Sequence, residues 1–199
     1  MVKKKYVKII LCAVVCGIGL WLLITKCVQL YYDKELKREL TTSTIASDNL
    51  PGQLIEDAVL RRIQEKYIKS GGLDEMLEAM TEVERNVFVT CYFERKVRSG
   101  GLCSFLLEYP ELAPYIIDAL EAVKAEPYMK LLETFIKQNH IDLEHIIETQ
   151  VFDMYDYFLF YQKYPFDEFD NRFKGLEDTE EKDLGDYITE YIYANMVSL

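Results

Sequence analysis

Histidine, one of the side chains that most often binds zinc, is scarce in this 199-residue chain. The two histidines, His140 and His145, lie five positions apart, so a helix would not place both on one face as the i, i+4 zinc motif requires. No cysteine and histidine group has the spacing of a zinc site either. We therefore expect no metal site, and surface or loop positions for both histidines.

Cysteine is also infrequent, with five residues in all. Cys12, Cys16 and Cys27 lie near the N-terminus, and only Cys91 and Cys103 belong to the rest of the chain. These two could pair in an oxidising compartment, but two cysteines do not make a disulfide framework. We expect two buried free thiols.

Signatures of catalysis are missing as well. There is no G-x-S-x-G nucleophile motif. Gly100 and Gly101 do not form a phosphate-binding loop, because no strand precedes them and no Lys-Ser/Thr pair follows. Carboxylates abound, but a general acid and base pair needs environments that separate two pKa values, which sequence does not show. We expect no catalytic residue and no cofactor, with an enzyme of unrecognised type as an alternative.

Acidic residues are absent from residues 1–32, which contain five lysines. Residues 33–199 hold 18 basic and 34 acidic side chains, a net charge of −16. A domain with this imbalance repels nucleic acid and anionic lipid and attracts basic surfaces. Direct nucleic-acid binding is therefore not expected, whereas a basic protein is a suitable partner.

The N-terminal region contains 17 consecutive uncharged residues, Ile9 to Thr25. This length suits a single transmembrane helix. A signal peptide is the alternative, but its apolar region is shorter and no A-x-A-like cleavage site follows. We predict a membrane anchor over 1–32, a linker over 33–52 and a helical domain over 53–199. The lysines before the span favour a cytoplasmic N-terminus and a domain on the outer side of the membrane. Lys26, Lys34, Lys37 and Arg38 follow the span and favour the opposite orientation, so the side of the domain stays open.

The absence of strand-like alternation, together with repeated helix signals, predicts an all-α fold for the domain. A capping box at Thr81 and Glu84 starts a helix that should end near Ser99-Gly100-Gly101, where Gly100 and Gly101 form a structural turn. Residues 164–181 are expected to form an acidic connection, followed by a second capping box at Asp178 and Glu181 that opens the last helix.

An aromatic segment follows residue 150, and its apolar positions recur at helical spacing. Such a stripe more often faces a core than a nucleic-acid base, and the local negative charge argues further against base stacking. The stripe consists of Phe152, Tyr155, Phe158, Leu159 and Tyr161.

The most unusual feature is the acidic C-terminal third, where residues 141–199 hold 15 acidic and four basic groups. These carboxylates could form a solvated face or a binding site for a basic protein. On a helix, i and i+4 carboxylates lie about 6 Å apart, close to the spacing of neighbouring phosphates, so a dense set could imitate a DNA backbone. The candidate partner-binding residues are Asp167, Glu168, Asp170, Glu177, Asp178, Glu180, Glu181 and Asp183.

Four segments between about Thr81 and Asn195 resemble motifs of the bacterial DNA-mimic protein family. They are "ERKVRSGGLCSFL", "IIDALEAVKAE", "FDEFDNRF" and "DYITEYIYAN". The chain departs from the family pattern at Ser99, Leu102, Lys124 and Phe169.

The resemblance implies an all-α acidic domain, often a homodimer, without known catalytic residues. One branch of the family binds a DNA-binding regulator in place of DNA, so the resemblance implies a DNA-binding protein as partner. That partner requires a cytoplasmic domain. A domain outside the membrane suits an immunity-type or passive envelope protein instead.

Overall fold

The computed structural model describes residues 51–149 and 153–199. The predicted anchor, with its span at 9–25, and nearly all of the predicted linker lie outside these ranges. Among the helices of the described ranges, none combines the length and the apolar character that crossing a bilayer requires. The anchor and the orientation of the chain therefore stay predictions.

The described residues form α-helices and two short 3-10 turns, without a strand among them, which confirms the all-α prediction. The 3-10 turns are Pro110–Tyr115 and Ile146–Glu148. The α-helices are α1 (Gly52–Tyr67), α2 (Leu73–Ala79), α3 (Glu82–Glu108), α4 (Ile116–Ala122), α5 (Glu126–Asn139), α6 (Met154–Lys163), α7 (Phe166–Thr179) and α8 (Leu184–Ala194).

Helix α3 is the centre of the domain and packs against α1, α4, α7 and α8. Its start is the predicted capping box: the Glu84 amide donates to Thr81 Oγ1 at 3.3 Å, and the Thr81 amide donates to Glu84 Oε2 at 3.0 Å. Glu84 also accepts from Lys66 and Tyr67 near the end of α1. One buried carboxylate thus caps α3 and fixes α1 to it.

The predicted break in α3 is present but lies at Gly101 alone, and Gly100 is helical. Gly101 has φ 80° and ψ 172°, and the helix resumes after it and continues to Glu108. This is not the left-handed cap that we expected. It is the extended positive-φ region, which is open essentially only to glycine. The predicted end of the first helical segment is therefore confirmed, and Gly101 joins it through a kink to a second helical segment that runs to Glu108.

The prediction of an acidic connection over residues 164–181 is wrong, since most of this segment forms α7. Phe166, Phe169 and Phe173 recur at i, i+3 and i+7, and all three are buried. This apolar stripe supplies the reason for a helix despite the surrounding charge.

The predicted start of the last helix is also wrong. Asp178 lies inside α7, and α8 begins after Asp183, whose side chain accepts from the Asp186 amide at 2.9 Å. Asp186 in turn accepts from the Asp183 amide, so a capping box exists five residues later than predicted.

Helix α6 overturns the prediction that the aromatic stripe faces the core. Tyr155, Phe158 and Leu159 are exposed and Tyr161 is half-buried, while Phe152 lies outside the described residues. Phe160 is the buried residue of this helix, and Tyr157, Tyr161 and Tyr164 pack beside it. Of the predicted stripe, Tyr161 does pack against the core, whereas Tyr155, Phe158 and Leu159 lie on the opposite side of α6.

Candidate protein-interaction surface

The eight candidate carboxylates separate into three that stabilise the fold and five that face solvent. The stabilising residues are Asp170, Glu177 and Asp183. The exposed ones are Asp167, Glu168, Asp178, Glu180 and Glu181. Sequence identified them all by charge alone, which does not distinguish the two roles.

Asp170 caps the second half of the kinked helix. Its Oδ1 accepts from the Leu102 amide at 2.9 Å, directly after Gly101. Burial raises the pKa of Asp170, and the Leu102 amide acts in the opposite direction. A Cβ at residue 101 would collide with the Asp170 carboxylate, so glycine is needed there for space as well as for φ. Asp170 is accordingly needed to form the kink in α3.

Arg98 holds the other two stabilising carboxylates. Its guanidinium lies 2.5 Å from Glu177 Oε1 and 3.1 Å from Asp183 Oδ2, and it also contacts Glu94 at 3.0 Å. These contacts join the end of α7 and the start of α8 to α3. A partner that drew Glu177 or Asp183 away from Arg98 would break this network.

The five remaining carboxylates lie near the two ends of α7. Asp167 and Glu168 are in its first turn, and Asp178 is near its last, about 16 Å away at 1.5 Å per residue. Glu180 and Glu181 follow in the connection to α8, exposed and without an ion pair to any described residue. Asp167 accepts from the Tyr161 hydroxyl at 2.5 Å.

The unbroken row of carboxylates that a helix can offer is not realised in α7. The positions four residues after Asp167 and Glu168 are Asn171 and Arg172, and Lys174 follows on the exposed side. Negative charge is therefore concentrated in two groups, at the start of the helix and just beyond its end.

The domain as a whole carries a large unpaired negative charge. From residue 51 onward there are 30 acidic and 15 basic side chains. Within the described ranges, ten of these carboxylates lie within 4.0 Å of a lysine or arginine. Because acidic side chains outnumber basic ones by two to one from residue 51 onward, the domain keeps a negative charge whichever of them pair.

A second feature, which sequence reasoning missed, is a cavity of about 380 Å³ between α1, α3 and α8. Glu56 and Glu94 line it and are both buried. Gly185 permits their close approach to α8, since a Cβ there would lie 3.0 Å from Glu94 Oε1 and 3.3 Å from Glu56 Oε1. Glu94 and Gly185 are more than 90 positions apart in the sequence, so no local motif predicts that they lie close together.

Both carboxyl groups in this cavity hold protons more strongly than usual. Burial raises the pKa of Glu56 to about 7, although the Arg95 guanidinium and the Thr189 hydroxyl favour the charged form. Burial and the neighbouring Glu56 raise the pKa of Glu94 to about 8, against the effect of Arg98. The cavity is thus a place where two carboxyls titrate near neutral pH.

The cysteines and histidines occupy the expected kinds of position. Cys91 and Cys103 are buried free thiols, which confirms that prediction. His140 is exposed at the left-handed C-cap of α5, and His145 is exposed with Nδ1 at 2.9 Å from Asp142 Oδ2. In the part of the chain that the structure describes, no three His, Cys, Asp or Glu residues are grouped to hold a metal ion.

The fold and this surface define an all-helical acidic domain with a large unpaired negative charge. The model of the DMP19-like protein family matches residues 78–192, more than half of the chain, and the chain belongs to that family. This is a DNA-mimic family, so the resemblance drawn from the four motifs is confirmed at that level. Neither a curated protein nor a solved structure matches the chain.

Proposed function

We propose that this chain is a membrane-tethered binding protein whose acidic helical domain captures a basic protein. The observation that carries the proposal is the charge imbalance from residue 51 onward, where 30 acidic side chains stand against 15 basic ones. Membership in a DNA-mimic family supports a partner whose basic surface otherwise meets DNA.

The energetic basis would be the same as for a protein binding to DNA. Lysines and arginines of the partner exchange contacts with phosphates for contacts with the carboxylates at the two ends of α7. Complementary charge accelerates the encounter and makes it sensitive to salt. Affinity should therefore fall steeply as ionic strength rises.

The side of the membrane decides which partner is available. If the anchor at 9–25 spans the bilayer with the N-terminus inside, the domain meets secreted or envelope proteins, and an immunity-type role follows. If the domain is inside, it can sequester a DNA-binding protein at the membrane. A passive envelope protein would tolerate neutralisation of its carboxylates without any change in binding.

A pull-down with the full chain as bait tests the proposal. Basic proteins that bind DNA-cellulose are offered at 50 and 300 mM salt, and a duplex oligonucleotide is added as competitor. We expect capture at low salt, release at high salt and displacement by the duplex. Failure to capture any basic protein at 50 mM salt contradicts the proposal, and capture without displacement contradicts DNA mimicry alone.

A matched pair of variants locates the site. Glu180→Lys with Glu181→Lys should weaken capture at least tenfold, because both residues are exposed and lie beside Asp178. Glu121→Lys with Glu133→Lys changes the net charge equally at exposed positions of α4 and α5. Equal losses in both variants would show that net charge, and not the α7–α8 region, governs binding.

The Glu56–Glu94 cavity favours a second candidate function, acid–base catalysis. Two carboxyls with raised pKa values in one cavity are the arrangement that general acids and bases use. Hydrolysis of chromogenic esters, phosphodiesters and glycosides between pH 6 and 8 tests this candidate. Turnover that disappears in Glu94→Gln would support it, and turnover unaffected by Glu94→Gln and Glu56→Gln would contradict it.

A further inference from the structure

Helix α6 presents a contiguous apolar face to solvent. Met154, Tyr155, Phe158 and Leu159 are 79%, 67%, 52% and 48% exposed, and their spacing puts them on one side of the helix. Together they expose roughly 400 Å² of apolar surface, the size of the largest and often functional patches on monomeric proteins. Single exposed apolar residues need no explanation, whereas a patch of four does.

The patch is held in a fixed position by the opposite side of α6. Asp153 caps the helix by accepting from the amides of Tyr155 and Asp156 at 2.8 and 3.0 Å. The Tyr157 hydroxyl lies 3.1 Å from Ser104 Oγ in α3, and the Phe160 ring packs 5.7 Å from that of Phe166. A preformed surface of this kind loses little conformational entropy when a partner binds.

The charge around the patch is negative. Asp153 lies at the N-terminal end of α6, and Asp167 is connected to the helix through Tyr161. Lys163 is the one basic residue of α6, and it lies over the Tyr164 ring at the C-terminal end of the helix. The surface therefore consists of an apolar centre with an acidic border.

Charge and size together identify the occupant. A second copy would bring the same acidic border against this one, which costs free energy. A standard interface buries about 800 Å² on each partner, so the patch supplies about half, and the acidic surroundings must supply the rest. The complementary surface is apolar in its centre and basic at its edges, as on an amphipathic basic helix.

We propose that the apolar face of α6 is the hydrophobic centre of the docking surface and binds the apolar side of an amphipathic basic helix. This inference rests on the proposed function and adds to it a recognition element that charge alone does not provide. Burial of aromatic and aliphatic side chains resists salt, whereas carboxylate contacts do not. Affinity should thus have a part that persists at high ionic strength.

Three synthetic peptides of 18 residues serve as probes. One has leucines on one helical face and lysines on the other; the second has the same composition in a non-amphipathic order; the third is oligolysine. The full chain is carried in nanodiscs of zwitterionic lipid, with empty discs as the blank, and fluorescence anisotropy is measured at 50 and 500 mM salt. We expect at least tenfold tighter binding of the amphipathic peptide than of its isomer, at both salt concentrations.

Variants of α6 connect that preference to the patch. Phe158→Ser with Leu159→Ser should reduce the tenfold preference to less than twofold while binding of oligolysine at 50 mM salt is unchanged. Ile68→Ser, at an exposed apolar position of the α1–α2 connection, is the matched control and should keep the preference. Tyr155→Glu is a single substitution at the same patch and should also reduce the preference. Circular dichroism verifies that each variant is folded.

The possible results separate the two proposals. No preference in the wild-type chain, or a preference that survives the α6 variants, overturns the docking face. Absence of binding to all three peptides at 50 mM salt contradicts the proposed function instead. If sedimentation velocity shows a dimer and the α6 variants dissociate it, the face binds a second copy. If the chain binds separate lipid vesicles and the α6 variants abolish that binding, the face binds a membrane. Either result overturns the inference.

Discussion

At the residue scale, Gly101 and Asp170 together set the direction of the central helix. Gly101 provides the positive φ at the kink, and Asp170 caps the amide that follows it. The pair comes from α3 and α7, so it also positions α7 against the core. A side chain at 101 would have to displace the carboxylate that the kink needs.

We predict that Gly101→Ala lowers the free energy of unfolding by about 2–4 kcal/mol. Strain at this φ and ψ costs on the order of 1–3 kcal/mol, and displacement of Asp170 leaves the buried Leu102 amide without its acceptor. Urea unfolding of the full chain, followed by circular dichroism, measures the loss.

Gly175→Ala is the control for that substitution. Gly175 lies within α7, and a Cβ there would meet no atom within 4 Å. Alanine should stabilise the helix by about 0.5–1 kcal/mol, because glycine loses more backbone entropy on folding. Equal effects of the two substitutions would show that helix propensity, and not the kink, governs position 101.

Glu56 and Glu94 make the stability of the domain depend on pH. Their folded pKa values, about 7 and about 8, are above the value of 4.5 for an exposed glutamate. The folded state therefore binds more protons than the unfolded state between these values, so their contribution is complete below pH 4.5 and is lost as pH rises through 7–8. The charged groups facing the pair are Arg95, Asp57, Arg98 and Asp183.

We predict that Glu94→Gln makes the stability less dependent on pH. The unfolding free energy of the wild type should fall between pH 5 and pH 8 as Glu94 ionises. A neutral amide cannot ionise, so the fall should be smaller in the variant, by at least about 1 kcal/mol. Urea unfolding at a series of pH values gives the two slopes. Identical slopes would mean that Glu94 is already ionised in the folded domain at pH 5.

At the element scale, the sequence predicts a helix well where its signal is local. The capping box at Thr81 joins residues three positions apart, and it is present as predicted. The charges of the segment that forms α7 predict a connection, whereas Phe166, Phe169 and Phe173 recur at helical spacing. That stripe is visible in the sequence, so a count of apolar spacing would have found the helix.

The candidate site was less predictable than the helices. Asp170, Glu177 and Asp183 have the same side chains as the exposed carboxylates, and only their tertiary neighbours, Leu102 and Arg98, give them structural roles. The Glu56–Glu94 cavity and the exposed face of α6 likewise depend on how distant helices pack. The sequence therefore predicts the net charge of this surface, but it does not predict which carboxylates stabilise the fold and which face solvent.

The cap of α8 distinguishes the predicted from the observed helix start. We predict that Asp183→Ala lowers the unfolding free energy by about 1–2 kcal/mol, since Asp183 caps the helix and contacts Arg98. Asp178→Ala should stay within about 0.5 kcal/mol of the wild type, because Asp178 lies exposed near the C-terminus of α7.

Asp183→Asn separates the two roles of this residue in the same unfolding measurements. Asparagine caps a helix about as well as aspartate but cannot form the ion pair with Arg98. If Asp183→Asn keeps most of the stability that Asp183→Ala loses, the effect of Asp183 comes from the helix cap and not from the ion pair. A large loss of unfolding free energy in Asp178→Ala, together with none in Asp183→Ala, would show that the last helix begins at Asp178 as the sequence predicted.

At the scale of the whole molecule, the functional question is where the acidic domain resides. The lysines that precede Ile9 and the uncharged span to Thr25 predict an N-terminus in the cytoplasm and a domain outside it. A reporter at the C-terminus would disturb Leu199, which is buried. Val197, a residue that is 98% exposed, accepts a label without that cost.

We predict that a membrane-impermeant maleimide labels Val197→Cys in intact cells. Cys91 and Cys103 are buried and should not react in the folded chain, and the parent chain gives the background from the remaining cysteines. Gln138→Cys, exposed on α5, is a second position that should behave identically. Labelling of both positions only after the membrane is permeabilised would place the domain inside, because the reagent reaches them only by crossing the bilayer. An extracytoplasmic partner would then be excluded, and a DNA-binding protein would become the partner to seek.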